Sequence, residues 1–262
     1  MVSNSKISLE TIRLLRQLAD KYETCSFPKS DPSCILCKYK SPADIETAAF
    51  IMSVLSFGRR DLFMKKADYI FSLAGMHPAQ WIKSGVWEQQ FPAGCEKFYR
   101  FYSYDDIRDV FAVLQKILSD EKTLGTYIKH RYTETCTECE GKKVELAGVV
   151  SKVFSKCRAV SHTAQSANKR VNMFLRWMVR RNSPVDAGLW TWYTPADLII
   201  PLDTHVLHEA VKLGLIPPKS PGTAKTARML TSVLRQVWPD DPCRGDFALY
   251  GAGIDIPTSA HP

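Results

Sequence analysis

Two side chains and two pairs of thiols carry most of the chemistry legible in the 262 residues. The segment Leu198 to Leu215 (LIIPLDTHVLHEAVKLGL) runs apolar into Asp203, and a helical pattern begins at Thr204 and His205. An Asp at such a point is the expected helix N-cap. The start of a helix also favours an ionised carboxylate, which a site needs where positive charge develops during a reaction. His205 and His208 read as capping or packing residues ahead of ligands or bases. Upstream, Ala167 to Arg181 (ANKRVNMFLRWMVRR) places Val171, Phe174, Leu175 and Met178 on one helical face. Lys169, Arg170, Arg176, Arg180 and Arg181 lie off that face and concentrate positive charge, as a polyanion-binding surface or as an ordinary solvated one.

The thiols are Cys34-x-x-Cys37 and Cys136-x-x-Cys139. Random placement of the cysteines would give about 0.2 such pairs, so two pairs point to metal-ligand spacing. The stretch TCTECEGKK predicts a tight turn that directs Cys136 and Cys139 inward. Cys37 and Cys136 are 99 positions apart, too far for a compact ribbon. The two pairs therefore either meet through the fold in one structural zinc site or are four cysteines that never meet. A redox CxxC is disfavoured, because neither pair follows a strand and opens a helix.

The chain carries 35 Lys+Arg against 27 Asp+Glu, a formal charge of +8, which suits a polyanionic partner wherever the cations collect. At 45% hydrophobic and 24% charged it is globular, and wholesale disorder is excluded. No apolar run approaches the roughly 18 residues of a membrane span, and MVSNSKISLE has no signal-peptide core. The expectation is a soluble cytoplasmic protein whose cysteines are reduced. Other chemistries fail on spacing. Gly222 to Thr226 lacks the Gly-Lys pair and preceding strand of a phosphate loop, no GxSxG occurs, and a zinc deaminase would need Pro before a CxxC where Ser33 and Thr135 stand.

Positioning these side chains falls to helices. Strand signals are nearly absent and period-3.6 apolar patterns dominate. Leu9 to Ala19 stripe a first helix; Ile45 to Leu55 stripe a second, with Ser41-Pro42 at its start. Further helices are predicted at about 61–74, 105–118, 145–157, 167–181, 204–213, 222–237 and 243–252, separated by Gly- and Pro-marked loops. With no internal repeat and no long linker, the expected architecture is all-α, a single helical domain over residues 1–262.

In this frame the sequence resembles the helix-hairpin-helix DNA glycosylases typified by endonuclease III. Pro201 to Val206 (PLDTHV) looks like the segment that carries their essential Asp. Lys169 to Leu175 (KRVNMFL) is similar to the helix that opens with the catalytic Lys of the bifunctional members. Leu55 to Asp61 (LSFGRRD) resembles the early loop that enters a damaged duplex, and Asp246 to Gly251 (DFALYG) the closing Ala/Gly-rich helix. The four patches keep the superfamily's order. Segments like KRVNMFLRWMVR and DFALYGAG also look like an uncharacterised bacterial branch, the domain of unknown function 2400 family.

The resemblance implies two helical subdomains flanking a cleft, and a monomeric, nucleoid-associated DNA glycosylase with AP-lyase activity. Its partner would be double-stranded DNA containing a damaged base, such as an oxidised purine, with no membrane involvement. Breaking the glycosidic bond puts positive charge on the sugar, which the Asp203 carboxylate would stabilise. The Lys169 amine would attack C1′ and form a Schiff base, after which the neighbouring phosphate is eliminated. The helix dipole and Arg170 both disfavour a further positive charge at Lys169. Arg59, Arg60, Arg170, Arg176, Arg180 and His205 would contact DNA, with Arg59 or Arg60 filling the vacated stack. Trp190, Trp192 and Tyr193 would flank the extruded base or belong to the core.

No cofactor is required for this catalysis. Only Cys243 lies where an iron–sulfur cluster would need its cysteines, so no such cluster is expected, and Cys34, Cys37, Cys136 and Cys139 remain for a structural zinc. The chain departs from the pattern elsewhere: SHTAQSAN (Ser161 to Asn168) has none of the usual hairpin glycines, and Lys169 and Asp203 are 34 positions apart, farther than in endonuclease III. The alternatives to the enzyme are a non-catalytic DNA-binding protein of the same fold and a metal-stapled helical interaction module.

Overall fold

The computed structural model describes residues 7–27, 31–139, 141 and 143–254. In chain order the helices are α1 (Leu9–Tyr22), α2 (Pro42–Leu55), α3 (Arg60–Ala74), α4 (Pro78–Lys83) and α5 (Trp87–Gln90). A two-stranded hairpin, β1 (Lys97–Tyr99) and β2 (Tyr102–Ser103), precedes α6 (Tyr104–Asp120), α7 (Leu124–Glu138) and α8 (Leu146–Val153). Then come α9 (Lys169–Val179), α10 (Thr204–Lys212), α11 (Ala224–Leu234) and α12 (Arg244–Ile254). The fold is all-α apart from the hairpin, and no described helix is long and apolar enough to cross a membrane.

Side-chain caps fix where many helices begin. Ser8, Ser41, Ser103, Thr123, Asp203 and Thr223 each accept a hydrogen bond from a backbone amide in the first turn. Ser103 and Asp106 close a reciprocal capping box.

The chain forms two compact units, one from residues up to Phe27 together with those from Thr163 onward, the other from residues 28–162. In the first unit, Leu15 and Ala19 of α1 share a core with Ile200, Leu202, Val206, Leu230, Leu234 and Leu249. Helix α1 lies against α12, and the approach is close. A Cβ built on Gly251 would sit 2.2 Å from the Tyr22 ring. Glycine is what this contact requires.

In the second unit, α2 is buried on nearly all sides. Its two buried carboxylates serve other helices: Asp44 accepts from the Ala79 amide in α4 at 2.9 Å, and Glu46 from the Gly125 amide in α7 at 2.7 Å. Each places negative charge at the positive end of a helix.

Three departures from the sequence reading have physical causes. The hairpin was not expected, because its strands are too short to show alternation. Helix α7, a run of 15 residues, was missed because its exposed Thr, Glu and Lys residues leave little apolar periodicity. Cys136 therefore lies within a helix and Cys139 caps it, where a tight turn was predicted; Glu140 and Lys142 of that stretch lie outside the described residues, as do Met1 to Lys6 of the N-terminal segment read for a signal.

Gly251→Ala is expected to force α1 and α12 apart and to cost about 1–3 kcal/mol, the usual range for overpacking. A thermal denaturation midpoint equal to wild type would show that the contact has room to relax.

Candidate active site

Asp203 is presented by an apolar segment locked into the first unit. Ile200, Pro201 and Leu202 are buried, and the Ile200 amide donates to Thr231 Oγ1 at 3.1 Å. The guanidinium of Arg235 holds the Ala196 carbonyl just upstream at 2.9 and 3.2 Å. Beyond this anchored run, Asp203 takes the N-cap of α10, its Oδ1 accepting from the Val206 amide at 2.9 Å, while fully buried Val206 pins the first turn. The side chain is half-exposed, and its Oδ2 makes no further hydrogen bond among the described residues. One oxygen fixes the geometry and the other is not engaged by the cap.

Lys169 is the first residue of α9 and is half-exposed. The chain enters this helix through Asn168 in the left-handed conformation, φ 48° and ψ 39°. Buried Asn172 braces the entry, donating from Nδ2 to the Ala167 carbonyl at 2.9 Å. The preceding segment is tied to the start of α11 by a bridge between Ser166 and Thr223 and by the Ala224 amide donating to Gln165 O at 3.0 Å. The glycine-free stretch thus reaches α9 through hydrogen bonds and one left-handed Asn. The Lys169 ammonium forms no hydrogen bond or ion pair among the described residues.

Asp246, at the start of α12, connects the two. Its carboxyl is buried and accepts from Arg176 Nη1. Burial pushes it up to about 6, outweighing the opposing pull of Arg176; the Asp203 charge adds to the rise and the Lys169 charge offsets part of it. Asp246 therefore lies within electrostatic reach of both Lys169 and Asp203. The amine and the carboxylate, 34 positions apart in sequence, both act electrostatically on one buried acidic group.

Arg176 and Arg180 are not on a solvated basic face. They are only 4% and 2% exposed, and they organise a buried ionic cluster. Arg176 Nε donates to Asp186 Oδ1 at 3.2 Å, and Arg180 donates to the other Asp186 oxygen. Arg180 Nη2 reaches Glu23 Oε1 at 2.7 Å and Asp241 Oδ2 at 2.8 Å. Arg244 joins through Glu23 at 2.9 Å and Asp20 at 2.7 Å. Both buried guanidiniums also lie over the Phe247 ring, 4.5 and 5.1 Å from its centroid. Burial raises Asp186 despite its two arginine partners. Burial would also raise Glu23, but Arg180, Ser183 and Arg244 hold it below the usual carboxylate value. The expectation of phosphate contacts by Arg176 and Arg180 is thereby corrected: carboxylates from three separate stretches have already taken their charge.

Of the aromatic candidates, Trp190 is 1% exposed and Tyr193 is buried, packed as core. Trp190 meets Phe174 edge-on at 5.4 Å and stacks against half-exposed Trp192 at 5.5 Å. Only Trp192 retains a partly open face. Arg170 is half-exposed beside Lys169, and exposed His205 packs edge-on against Tyr250. Arg59 and Arg60 belong to the second unit, where Arg59 is exposed and paired with Asp61 at 2.7 Å.

Cys34 and Cys37 lie in a short 3₁₀ helix (Pro32–Cys37), Cys136 and Cys139 at the end of α7. Among the described residues no three His, Cys, Asp or Glu side chains are arranged to hold a metal, so the two thiol pairs do not form a four-ligand site. Each pair lies on its own helical segment, which spaces the thiols without converging the pairs.

The sequence reading quoted Asp246 without giving it a role, and it passed over Asp186 and Glu23. No local signal marked them: the buried Arg176 and Arg180 need carboxylates, but these come from other parts of the chain.

Residues 31–255 match the family model described as "Protein of unknown function (DUF2400)", and the chain belongs to that family. No curated protein and no solved structure matches it.

Two outcomes follow from the cluster. Arg180→Met takes the guanidinium from Asp241 and leaves Asp186 and Glu23 with one arginine each, Arg176 and Arg244, and is expected to cost about 3–5 kcal/mol, a large fraction of a typical domain's stability. Chemical denaturation measures it, and a loss below about 1 kcal/mol would mean that water replaces the guanidinium. The second outcome concerns pH. Asp246 holds its proton more tightly folded than unfolded, so folding takes up a proton between about pH 4 and its folded value of about 6. Its contribution to stability therefore falls as pH rises through that window. Asp246→Asn should remove that slope from the denaturation free energy, and an unchanged slope would assign the proton to another group.

Proposed function

We propose that this member of the DUF2400 family is a DNA glycosylase with associated lyase activity, of the helix-hairpin-helix kind, acting on duplex DNA that contains a damaged base. The observation that carries the reading is that Lys169 and Asp203 each open a helix of the same unit and that both charges act on buried Asp246. The resemblance assigns catalysis to an amine at the start of one helix and a carboxylate at the start of another, and both stand at those positions.

In this reading the second carboxylate oxygen of Asp203, not engaged by the cap, stabilises the positive charge that grows on the sugar as the base departs. The half-exposed amine of Lys169, free of any ion pair among the described residues, attacks C1′. The Schiff base that follows permits elimination of the adjacent phosphate. Asp203 needs no ligand to hold its rotamer, since the helix cap fixes it before substrate arrives. Duplex contacts fall to Arg170 and His205 near the site and to Arg59 and Arg60. With Arg176 and Arg180 buried, the basic surface is smaller than the sequence suggests.

Incubation with oligonucleotides bearing different lesions or abasic sites, in the presence of borohydride, should trap a covalent protein–DNA adduct. Lys169→Gln should abolish the adduct, and Asp203→Asn should slow base release by about 10²- to 10³-fold. An adduct formed by Lys169→Gln at the wild-type level would overturn the nucleophile. Salt-dependent duplex binding unchanged by Asp203→Asn, with no lesion cleaved, would leave a non-catalytic DNA-binding protein.

A further inference from the structure

The second unit carries an aromatic tip that the proposed catalysis does not use. Strands β1 and β2 are joined by a two-residue turn, Arg100–Phe101, between the paired residues Tyr99 and Tyr102. Phe101 is 54% exposed. Arg100 adopts φ +53°, a conformation that a tight turn ordinarily gives to glycine, so this turn retains an arginine at a conformational cost. Turn geometry alone would select neither residue.

The turn is fastened to a second loop. Tyr99 OH donates to the Phe57 carbonyl, and the Phe57 ring packs against Phe101 at 5.1 Å and Tyr102 at 5.2 Å. Gly58, at φ +76°, lets this loop pass beneath Arg100: a Cβ there would lie 2.9 Å from the Arg100 guanidinium and 2.9 Å from Tyr99 OH. Exposed Arg59 and half-exposed Arg60 follow at once. The result is one exposed ring on an aromatic base, with Arg100 in the same turn, Arg59 next to Gly58, and Arg60 and Asp61 opening α3 directly after. The Asp61–Arg59 pair is fully exposed, and such pairs exchange readily for a phosphate.

We propose that this tip is a binding surface for nucleic acid with unstacked bases, Phe101 stacking on a base and Arg59, Arg60 and Arg100 taking the flanking phosphates. The balance of the surface selects this occupant. A single projecting ring with three cations can meet a base π-face only where the base is out of its stack, and the cations match the phosphates on either side. An acidic membrane would also attract the cations, but one ring offers little apolar area to insert. The proposal does not depend on Lys169 or Asp203.

The test measures binding of the full chain to a fluorescent oligothymidine single strand, to an intact hairpin duplex of equal charge, and to phosphatidylglycerol vesicles. Wild type should prefer the single strand. Phe101→Ala should weaken that complex by about 10-fold, and Phe101→Trp should preserve it. Arg100→Gly suits the backbone conformation, so the fold should be kept while the slope of log affinity against log salt falls by about 0.7. Circular dichroism establishes that each variant is folded. Single-strand binding by Phe101→Ala equal to wild type would overturn the proposal, as would vesicle binding that Phe101→Ala abolishes while DNA binding stands. Because no lesion and no cleavage are involved, failure of the glycosylase reading would leave this result intact, and the reverse also holds.

Discussion

Two guanidiniums buried in the first unit set the terms for the rest of it. An arginine cannot shed its charge, so placing Arg176 and Arg180 almost out of reach of water obliges the fold to bring carboxylates to them. Glu23 comes from just beyond α1, Asp186 from the loop after α9, Asp241 and Asp246 from the approach to α12. Stretches that share no sequence proximity are thereby held to one another by geometry and not merely by apolar area. Apolar surfaces can slide; a bidentate pair between Arg180 and Asp241 admits one arrangement.

The same cluster shapes the candidate site. Asp246 belongs to both: through Arg176 it is part of the buried cluster, and its carboxyl feels the charges of Lys169 and Asp203. The rigidity given to α9 and α12 by their ion pairs therefore reaches the two side chains on which the proposed chemistry rests. Asp203 gains a further constraint from its own helix cap, so one of its oxygens is committed and the other is available.

Much of the helical layout was legible in sequence, because apolar periodicity and caps act over a few residues. Ser41-Pro42 and Asp203 mark helix starts wherever they occur. The placement of the two proposed residues at helix starts was legible as well, since each is read from a local signal: a lysine opening a basic helix, an aspartate ending an apolar run. What escaped was the fate of the other cations on α9. Lys169 and Arg176 are seven residues apart and share a face, yet one is half-exposed and the other buried. Nothing within α9 distinguishes them; the difference lies in Asp186 and Asp246, whose positions depend on the tertiary fold. Trp190 and Tyr193 were ambiguous for a similar reason, since an aromatic residue in a loop has no period to reveal its burial. The thiol pairs misled in the other direction: their spacing is that of a metal knuckle, but a helix produces it too.

The pairing of α1 with α12 also bears on the order in which the protein acquires its structure. Tyr22 and Gly251 are far apart in sequence, whereas every residue of the 28–162 unit leaves the ribosome before α9 has been made. The middle of the chain can consolidate during translation. Helix α1, with Glu23 behind it, must wait for this partner until α12 has been made.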